Sequence, residues 1–226
     1  WMHNNMITLD GQKMGKSLGN AINLNEFFSG DHRLLERAYT PMTIRFFMLQ
    51  SHYRSTLDFS NEALQAAEKG YRRLMEALHS LQQMKHEPGE LDTELDGEIV
   101  KLCQECHAFM NDDFNTAMVL ANLFELSTKI NAFKDKHLKL GSISADTFAL
   151  LQKTMHDFVI DLLGLVPEER GDSELVDGLM QLLIDIRKNA RERRDFETSD
   201  QIRDELMELD IQLKDGKEGT SWSFRN

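Results

Sequence analysis

From residue 61 onward, apolar side chains return every three or four positions: Leu64, Ala67, Tyr71, Leu74, Leu78 and Leu81 advance as one stripe. A strand points successive side chains to opposite faces, so this spacing fits an amphipathic helix of about five turns and not a sheet. The stretch "HEPGE" (86–90) holds a proline and a glycine and breaks it. The pattern then resumes three times. A second helix is expected from about Glu94 to Phe109, and a third from about Asn115 to Phe133 with Val119, Leu123, Leu126, Ile130 and Phe133 in register. A fourth is expected behind the capping Ser144, with Phe148, Leu151, Met155, Phe158 or Val159, and Leu162 inward, ending at "GLVPEERG". Amphipathic helices with short polar joints can bury their stripes only against one another, which predicts an antiparallel helical bundle over residues 61–168.

The flanks read differently. Residues 1–60 hold a short strand-like "NMITLD", a glycine-flanked loop, and helix-compatible "NLNEFFSG" and "TPMTIRFFMLQSHYR". Thr40 before Pro41 is a strong helix start, because the hydroxyl caps and the proline has no amide to leave unpaired. In the last third, Leu175, Leu179, Leu182 and Ile186, and then Ile202, Leu206 and Leu209, mark two helices. Ile211 and Leu213, then Trp222 and Phe224, alternate around Asp215-Gly216 and Gly219, a hairpin signal. The expected boundaries fall near Pro167–Gly171 and, more softly, near Asp58–Glu62.

The chain of 226 residues, 41% hydrophobic and 28% charged with three prolines, has the balance of an ordinary globular protein. No run approaches the ~18–20 continuous apolar residues of a membrane span, and no leader pattern is visible, so a cytoplasmic protein without membrane contact is expected. The first residue is Trp1, and "WMHNN" enters without a cap, as expected of a piece of a longer chain. The net charge of −12 disfavours indiscriminate nucleic-acid binding. Its distribution is uneven: residues 1–60 carry six basic and five acidic side chains, residues 61–170 eleven and nineteen, residues 171–226 nine and fourteen. Within the last part, "RKNARERR" (187–194) concentrates five positive charges against one negative.

Three motifs carry possible chemistry. "DGQKMGKSLGN" (10–20) ends like a phosphate-binding P-loop in Gly15-Lys16-Ser17, but that pattern requires Gly at position 10, where Asp10 stands, and Lys13 would intrude on the amide cradle. Two lysines on a glycine-hinged loop could instead close over a triphosphate as compact point charges; on the residues alone, a solvated turn stays open beside that reading. Cys103-Gln-Glu-Cys106-His107 has the spacing of a haem-attachment motif or half a zinc site, but it lies in an apolar helical pattern where cysteine acts as a small hydrophobe. Two cysteines cannot build a disulfide framework. The basic run is either a solvated helix face or a nucleic-acid contact.

Taken in order, "WMHNNMITLDGQKMGKSLGN", "TIRFFMLQSHYRSTLDFS", "NDDFNTAMVLANLFEL" and "DFETSDQIRDELMELDIQLKDGKEGTSW" resemble successive stretches of the C-terminal half of cysteinyl-tRNA synthetases, the loop being similar to the KMSKS signature of class I aminoacyl-tRNA synthetases. The resemblance covers essentially the whole chain. It implies a mainly α fold: the end of a class I catalytic region with a connecting, stem-contacting segment over residues 1–60, a DALR-like bundle over 61–168, and a small α+β anticodon-binding domain of two helices and a hairpin over 171–226.

The function it implies is cysteine–tRNA ligation, with Lys13 and Lys16 on the phosphates of ATP, Lys16 as the ATP-binding member, and Mg accompanying the nucleotide. Gly15 departs from the serine of the usual signature, which implies a less braced loop. Arg191, Phe196, Asp200 and Asp215 fall at positions implying anticodon contact. In "SHYRS", Arg54 is either a phosphate contact or a structural ion pair, with His3, His52 and Tyr53 as weaker candidates. The zinc of the family and its nucleotide-binding HIGH-type motif match nothing here, so no metal ligand is expected and the chain is expected to be inactive alone. Its expected partners are tRNA(Cys), cysteine and ATP, with a monomeric parent. Two alternatives remain: a ligase joining cysteine to an amino sugar, which the last 56 residues disfavour, and a non-enzymatic RNA-binding helical module.

Overall fold

Ser60 begins the longest stretch of structure. In extended backbone, its side chain accepts the Ala63 amide and opens α3 (Asn61–Gln83). The same device recurs: Asp92 caps α4 (Thr93–Asn111), Asn115 caps α5 (Thr116–Lys134) and Ser144 caps α6 (Ala145–His156). Each such cap satisfies amides that the helix itself leaves unpaired, a contribution of about 0.5–2 kcal/mol. The computed structural model describes residues 1–168, 173–193, 195–209, 211–216 and 219–224. These divide into two compact units, Trp1–Pro167 and Glu168–Asn226.

In the first unit the expected stripes face inward. Leu64, Leu74 and Leu81 of α3, Ile99 of α4, Leu123, Leu126 and Ile130 of α5, and Leu151 and Met155 of α6 are almost completely buried. α5 packs on both α3 and α4, and α6 on α4 and α3. Asp96 of α4 accepts the Ser144 amide at 2.7 Å, tying two helix starts together, and that bond holds its carboxyl below the usual range. One expectation fails at the end of α6. The backbone passes into a π turn, Asp157–Leu162, where the Leu163 amide reaches the Phe158 carbonyl five residues back. The extra residue per turn slips the stripe, so Leu162 is exposed while Leu163 and Leu165 are buried.

The first sixty residues form a small sheet with helical crossovers. β1 (Ile7–Leu9) pairs antiparallel with β2 (Gln12–Lys13) and parallel with β3 (Leu57–Phe59), in the order β2-β1-β3. Strands of two and three residues are too short to show alternation, and only β1 is legible in the sequence. Between β1 and β3 run α1 (Leu24–Ser29), capped by Asn23, and α2 (Pro41–Leu49), capped by Thr40. Phe59 lies 5.1 Å from the ring of Phe27 and 4.7 Å from that of Phe47. The core then continues across residues 58–62 without a gap, since Phe46 of α2 packs against Tyr71 of α3 and Phe124 of α5, both at 6.1 Å.

The second unit holds α7 (Ser173–Glu192), α8 (Phe196–Glu208, capped by Asp195), and a hairpin of β4 (Ile211–Gly216) and β5 (Gly219–Phe224), paired from Ile211↔Phe224 to Gly216↔Gly219. Here the inward row of α7 differs from the expected one. Leu179, Leu182 and Ile186 are exposed, whereas Met180, Ile184, Arg187 and Ala190 are buried. Both rows obey helical spacing, and the buried one begins one position, or about 100°, further round. Leu206 of α8 is buried as expected, but Leu209, beyond the helix end, is exposed. No described helix is long and apolar enough to cross a membrane.

Candidate functional site

The lysine loop grows out of the turn between β1 and β2. Asp10 and Gly11 both take left-handed backbone (φ 50° and 74°), the conformation a two-residue hairpin turn requires. Asp58 of β3 holds that turn from the neighbouring strand: its Oδ1 accepts the Thr8 hydroxyl at 2.6 Å and the Gly11 amide at 2.9 Å. Lys13 follows on β2 opposite Thr8. Gly15 then precedes a single 3-10 turn, Lys16–Leu18, and Gly19 closes it in left-handed backbone (φ 67°), its amide on the Lys16 carbonyl at 3.1 Å.

Lys13, Lys16 and Ser17 are exposed, so the loop presents two solvated ammonium groups. Such groups can meet a polyanion as mobile point charges. The glycines are not equivalent hinges. Gly15 is extended (φ −166°, ψ 142°), a conformation any residue adopts, and a Cβ there would meet the Leu18 side chain at an ordinary 3.8 Å and the Ser17 hydroxyl at 4.0 Å. Its amide donates to Asn20 Oδ1 at 2.9 Å, so the loop is braced although the signature hydroxyl is missing. Neither Asn20 nor Asp58 stood out in the sequence, since a short polar side chain beside a glycine looks like ordinary loop composition and Asp58 reaches the turn from 47 residues away.

Arg54 lies at a second cluster. Its Nε is 2.8 Å from Asp113 Oδ2 and 3.0 Å from the Tyr53 hydroxyl, which itself donates to Asp113 Oδ1 at 2.6 Å. His52 stacks on Tyr53 at 4.8 Å. The Tyr53 hydrogen bond, with the Arg54 charge behind it, holds the Asp113 carboxyl below its ordinary range. Of the two readings of Arg54, the structure shows the ion pair; the side chain is still 67% exposed. Asp113 and Phe114 both take left-handed backbone (φ 58° and 54°), and Phe114 stands 55% exposed. His3 is exposed near the start of the chain.

The remaining candidates lie in the second unit. Arg191, near the end of α7, donates from Nε to Ser199 Oγ of α8 at 3.2 Å, a tie between the two helices. Phe196 and Asp200 share a face of α8 one turn apart, and both are exposed, Phe196 by 60%. Asp215 stands on β4 opposite Thr220, with its side chain outside the described residues. Arg187, within the same basic run, is 3% exposed, which the charge pattern alone could not have told apart from its solvated neighbours.

Cys103 and Cys106 are buried free thiols on the inner face of α4. Burial pushes the Cys106 thiol up to about 12 and raises Cys103 as well. A zinc or haem-attachment site needs thiolates within reach of the ligand, so these two do not fit either group. Among the described residues, His156, Asp157 and Asp161 bring ligand-type atoms within 4.8 Å on the π turn, but Asp157 is already paired with Lys153.

Comparison with known proteins adds the following. Residues 1–69 match the family described as tRNA synthetases class I (C) catalytic domain, and residues 106–167 match the DALR domain. A cysteine–tRNA ligase of Cytophaga hutchinsonii is 46% identical over 226 residues, and one of Porphyromonas gingivalis is 50% identical over 227; each alignment covers 99% of this chain and 45% of the relative. The chain thus spans about half the length of the curated relatives it matches. Among solved structures, the LeuRS of a LeuRS–tRNA–LeuAMS complex from Agrobacterium radiobacter K84 overlaps 73% of this chain and 22% of its own at 17% identity and a TM-score of 0.41, too slight a likeness to build on. The lysine loop lies within the stretch matched by the class I synthetase catalytic-domain family, α5 and α6 lie within the stretch matched by the DALR domain, and over 99% of its length the chain is similar, at 46–50% identity, to cysteine–tRNA ligases.

Proposed function

We propose that this chain supplies the ATP-phosphate loop and the tRNA-binding modules of a cysteine–tRNA ligase. In the first step a carboxylate oxygen of cysteine attacks the α-phosphorus of ATP. The bond to the bridging oxygen breaks, and pyrophosphate leaves with its Mg, giving cysteinyl-adenylate. Lys13 and Lys16 would meet the phosphates from the exposed loop and stabilise the negative charge that grows on the leaving group, with Lys16 as the direct ATP contact. In the second step a hydroxyl of the terminal adenosine of tRNA(Cys) attacks the activated carbonyl and AMP leaves. Arg54, on the first unit, would touch the RNA backbone through the exposed side of its guanidinium. Arg191, Phe196, Asp200 and Asp215 would form the anticodon-reading surface, where an exposed ring can stack on a splayed base.

The observation that carries this reading is the sustained identity to cysteine–tRNA ligases over 99% of the chain, with both lysines exposed on one loop. The described residues contain no set that fits the zinc of the family, and no step is assigned to it here. We also propose a monomeric parent, and no cysteine activation by residues 1–226 alone. The test is ATP–pyrophosphate exchange with cysteine. The isolated chain should give none, the intact ligase should be active, and Lys16→Ala in the intact ligase should abolish most of it. Wild-type exchange in the Lys16→Ala enzyme would overturn the role of the loop.

A further inference from the structure

Asn20 stands where the lysine loop closes on itself. Its Nδ2 donates to the Lys13 carbonyl at 3.1 Å, and its Oδ1 accepts the Gly15 amide at 2.9 Å. One planar carboxamide therefore satisfies a backbone acceptor and a backbone donor on either side of Met14, and closes residues 13–20 into a ring. Within the ring the Leu18 amide binds the Gly15 carbonyl and the Gly19 amide binds the Lys16 carbonyl. At the exit, Arg33 reaches back and donates from a terminal nitrogen to the Gly19 carbonyl at 3.0 Å. With these amides turned inward, what the ring offers outward is its side chains, foremost Lys13 and Lys16.

We propose that Asn20 is the positioning residue of this loop, with Arg33 as the tie that seats the ring. This rests on the reading that the two lysines meet the phosphates of ATP. Asn20 touches no substrate in this scheme; it acts through Lys13 and Lys16 by carrying both on one body. Charge stabilisation in a transition state depends on donors already in place, so two lysines that move together act at once, whereas two on an unclasped strand must be ordered separately. The ring also removes Gly15 as a hinge, since its backbone is extended and its amide is held by Asn20. Only a carboxamide does this: an aspartate can accept from Gly15 but cannot donate to Lys13, and an alanine does neither.

The two chemical steps separate this role from a merely structural one. Phosphate contacts matter for adenylate formation and its reversal, but pyrophosphate has gone before transfer to tRNA. In the intact ligase, Asn20→Ala is expected to slow ATP–pyrophosphate exchange about tenfold, Asn20→Asp less, with transfer from preformed cysteinyl-adenylate unchanged. Arg33→Ala should fall on the same side, slowing exchange alone. In the 226-residue chain, the Gly15 amide should exchange with solvent faster in Asn20→Ala than in the wild type. Should Asn20→Ala fail to fold, Asn20→Asp carries the comparison. Equal loss in both steps, or wild-type exchange in Asn20→Ala while Lys16→Ala is inactive, would overturn the positioning role and leave the phosphate reading standing. Wild-type exchange in Lys16→Ala as well would remove the reading on which it rests.

Discussion

Asp113 accepts from Tyr53 at 2.6 Å and pairs with Arg54 at 2.8 Å, so one carboxylate at the turn between α4 and α5 holds the segment that follows α2. The pair is exposed to solvent, which screens its Coulomb term, and its value lies in fixing geometry more than in stability. It also supports backbone that is otherwise unfavourable, since both Asp113 and Phe114 are left-handed without being glycine.

Asp113→Asn should therefore lower the melting temperature only slightly at neutral pH, and the deficit should depend on acid in a defined way. The folded carboxyl is held below its ordinary value of 3.8, chiefly by the Tyr53 hydroxyl. The unfolded chain thus takes up the proton first as pH falls, and the contribution of Asp113 is present above pH 4 and lost as pH falls through the folded value. Melting curves of the two proteins from pH 3 to 8 should run parallel at the upper end and converge at the lower.

The loop glycines divide by backbone. Gly19→Ala places a Cβ on a left-handed residue (φ 67°) and should cost about 1–2 kcal/mol. Gly15→Ser keeps an extended backbone with room for the side chain and should stay within about 0.5 kcal/mol of the wild type. Urea unfolding of both variants checks the contrast. A Gly15→Ser enzyme with unchanged exchange kinetics would show that the Asn20 clasp already supplies the bracing that the signature hydroxyl gives elsewhere.

A similar split exists inside the bundle. A Cβ on Gly70 of α3 would come within 3.0 Å of the Phe46 ring, whereas one on Gly97 of α4 would meet nothing within 4 Å. Gly70→Ala should destabilise by roughly 1–3 kcal/mol through overpacking. Gly97→Ala should stabilise by about 0.5–1 kcal/mol, because alanine loses less backbone entropy in a helix interior. Calorimetric unfolding gives both signs in one experiment.

How far the sequence was legible follows from what each feature depends on. The stripes of α3 to α6 and the cap at Ser144 are local, and they are visible because period and cap chemistry need no partner, whereas the caps Ser60, Asp92 and Asn115 emerge only from the structure. The inward face of α7 is not local: Leu179 and Leu182 keep helical period as well as Met180 and Ile184, and only packing within the second unit decides between them. The slip at Leu162 depends on a π turn that no residue type announces. In the candidate site the lysines were legible by motif, but the groups that hold them were not. Asp58 and Arg33 act across gaps of 47 and 14 residues, and Asn20 looks like any polar loop residue.

The cysteines provide a test of burial against motif. With the Cys106 thiol pushed up to about 12 by its surroundings, neither thiolate forms in the folded protein near neutral pH. Labelling by a thiol reagent at pH 8 should be slow in buffer and fast in denaturant. The sign of the pH effect is fixed too: the unfolded thiols ionise from about 8.5 upward, while burial delays both folded thiols and holds that of Cys106 protonated up to about 12, so stability falls as pH rises above the unfolded value. A rapidly labelled native protein would show that this face of α4 opens.

Arg191 and Phe196 separate scaffold from contact in the proposed anticodon surface. Arg191 donates to the buried Ser199, so Arg191→Ala should loosen α7 against α8 and weaken the second unit along with any RNA binding. Phe196 is 60% exposed at the first position of α8 and makes little core, so Phe196→Ala should leave unfolding almost unchanged. If its ring stacks on a base, that variant should lose about 1–3 kcal/mol of tRNA affinity with the salt dependence intact, because stacking releases no counterions. Titrating cognate and non-cognate tRNA at two salt concentrations distinguishes the cases. Loss confined to the cognate tRNA places Phe196 on a recognised base. Equal loss for both with an unchanged salt slope makes it a non-selective stacking platform, and no loss at all removes it from the surface.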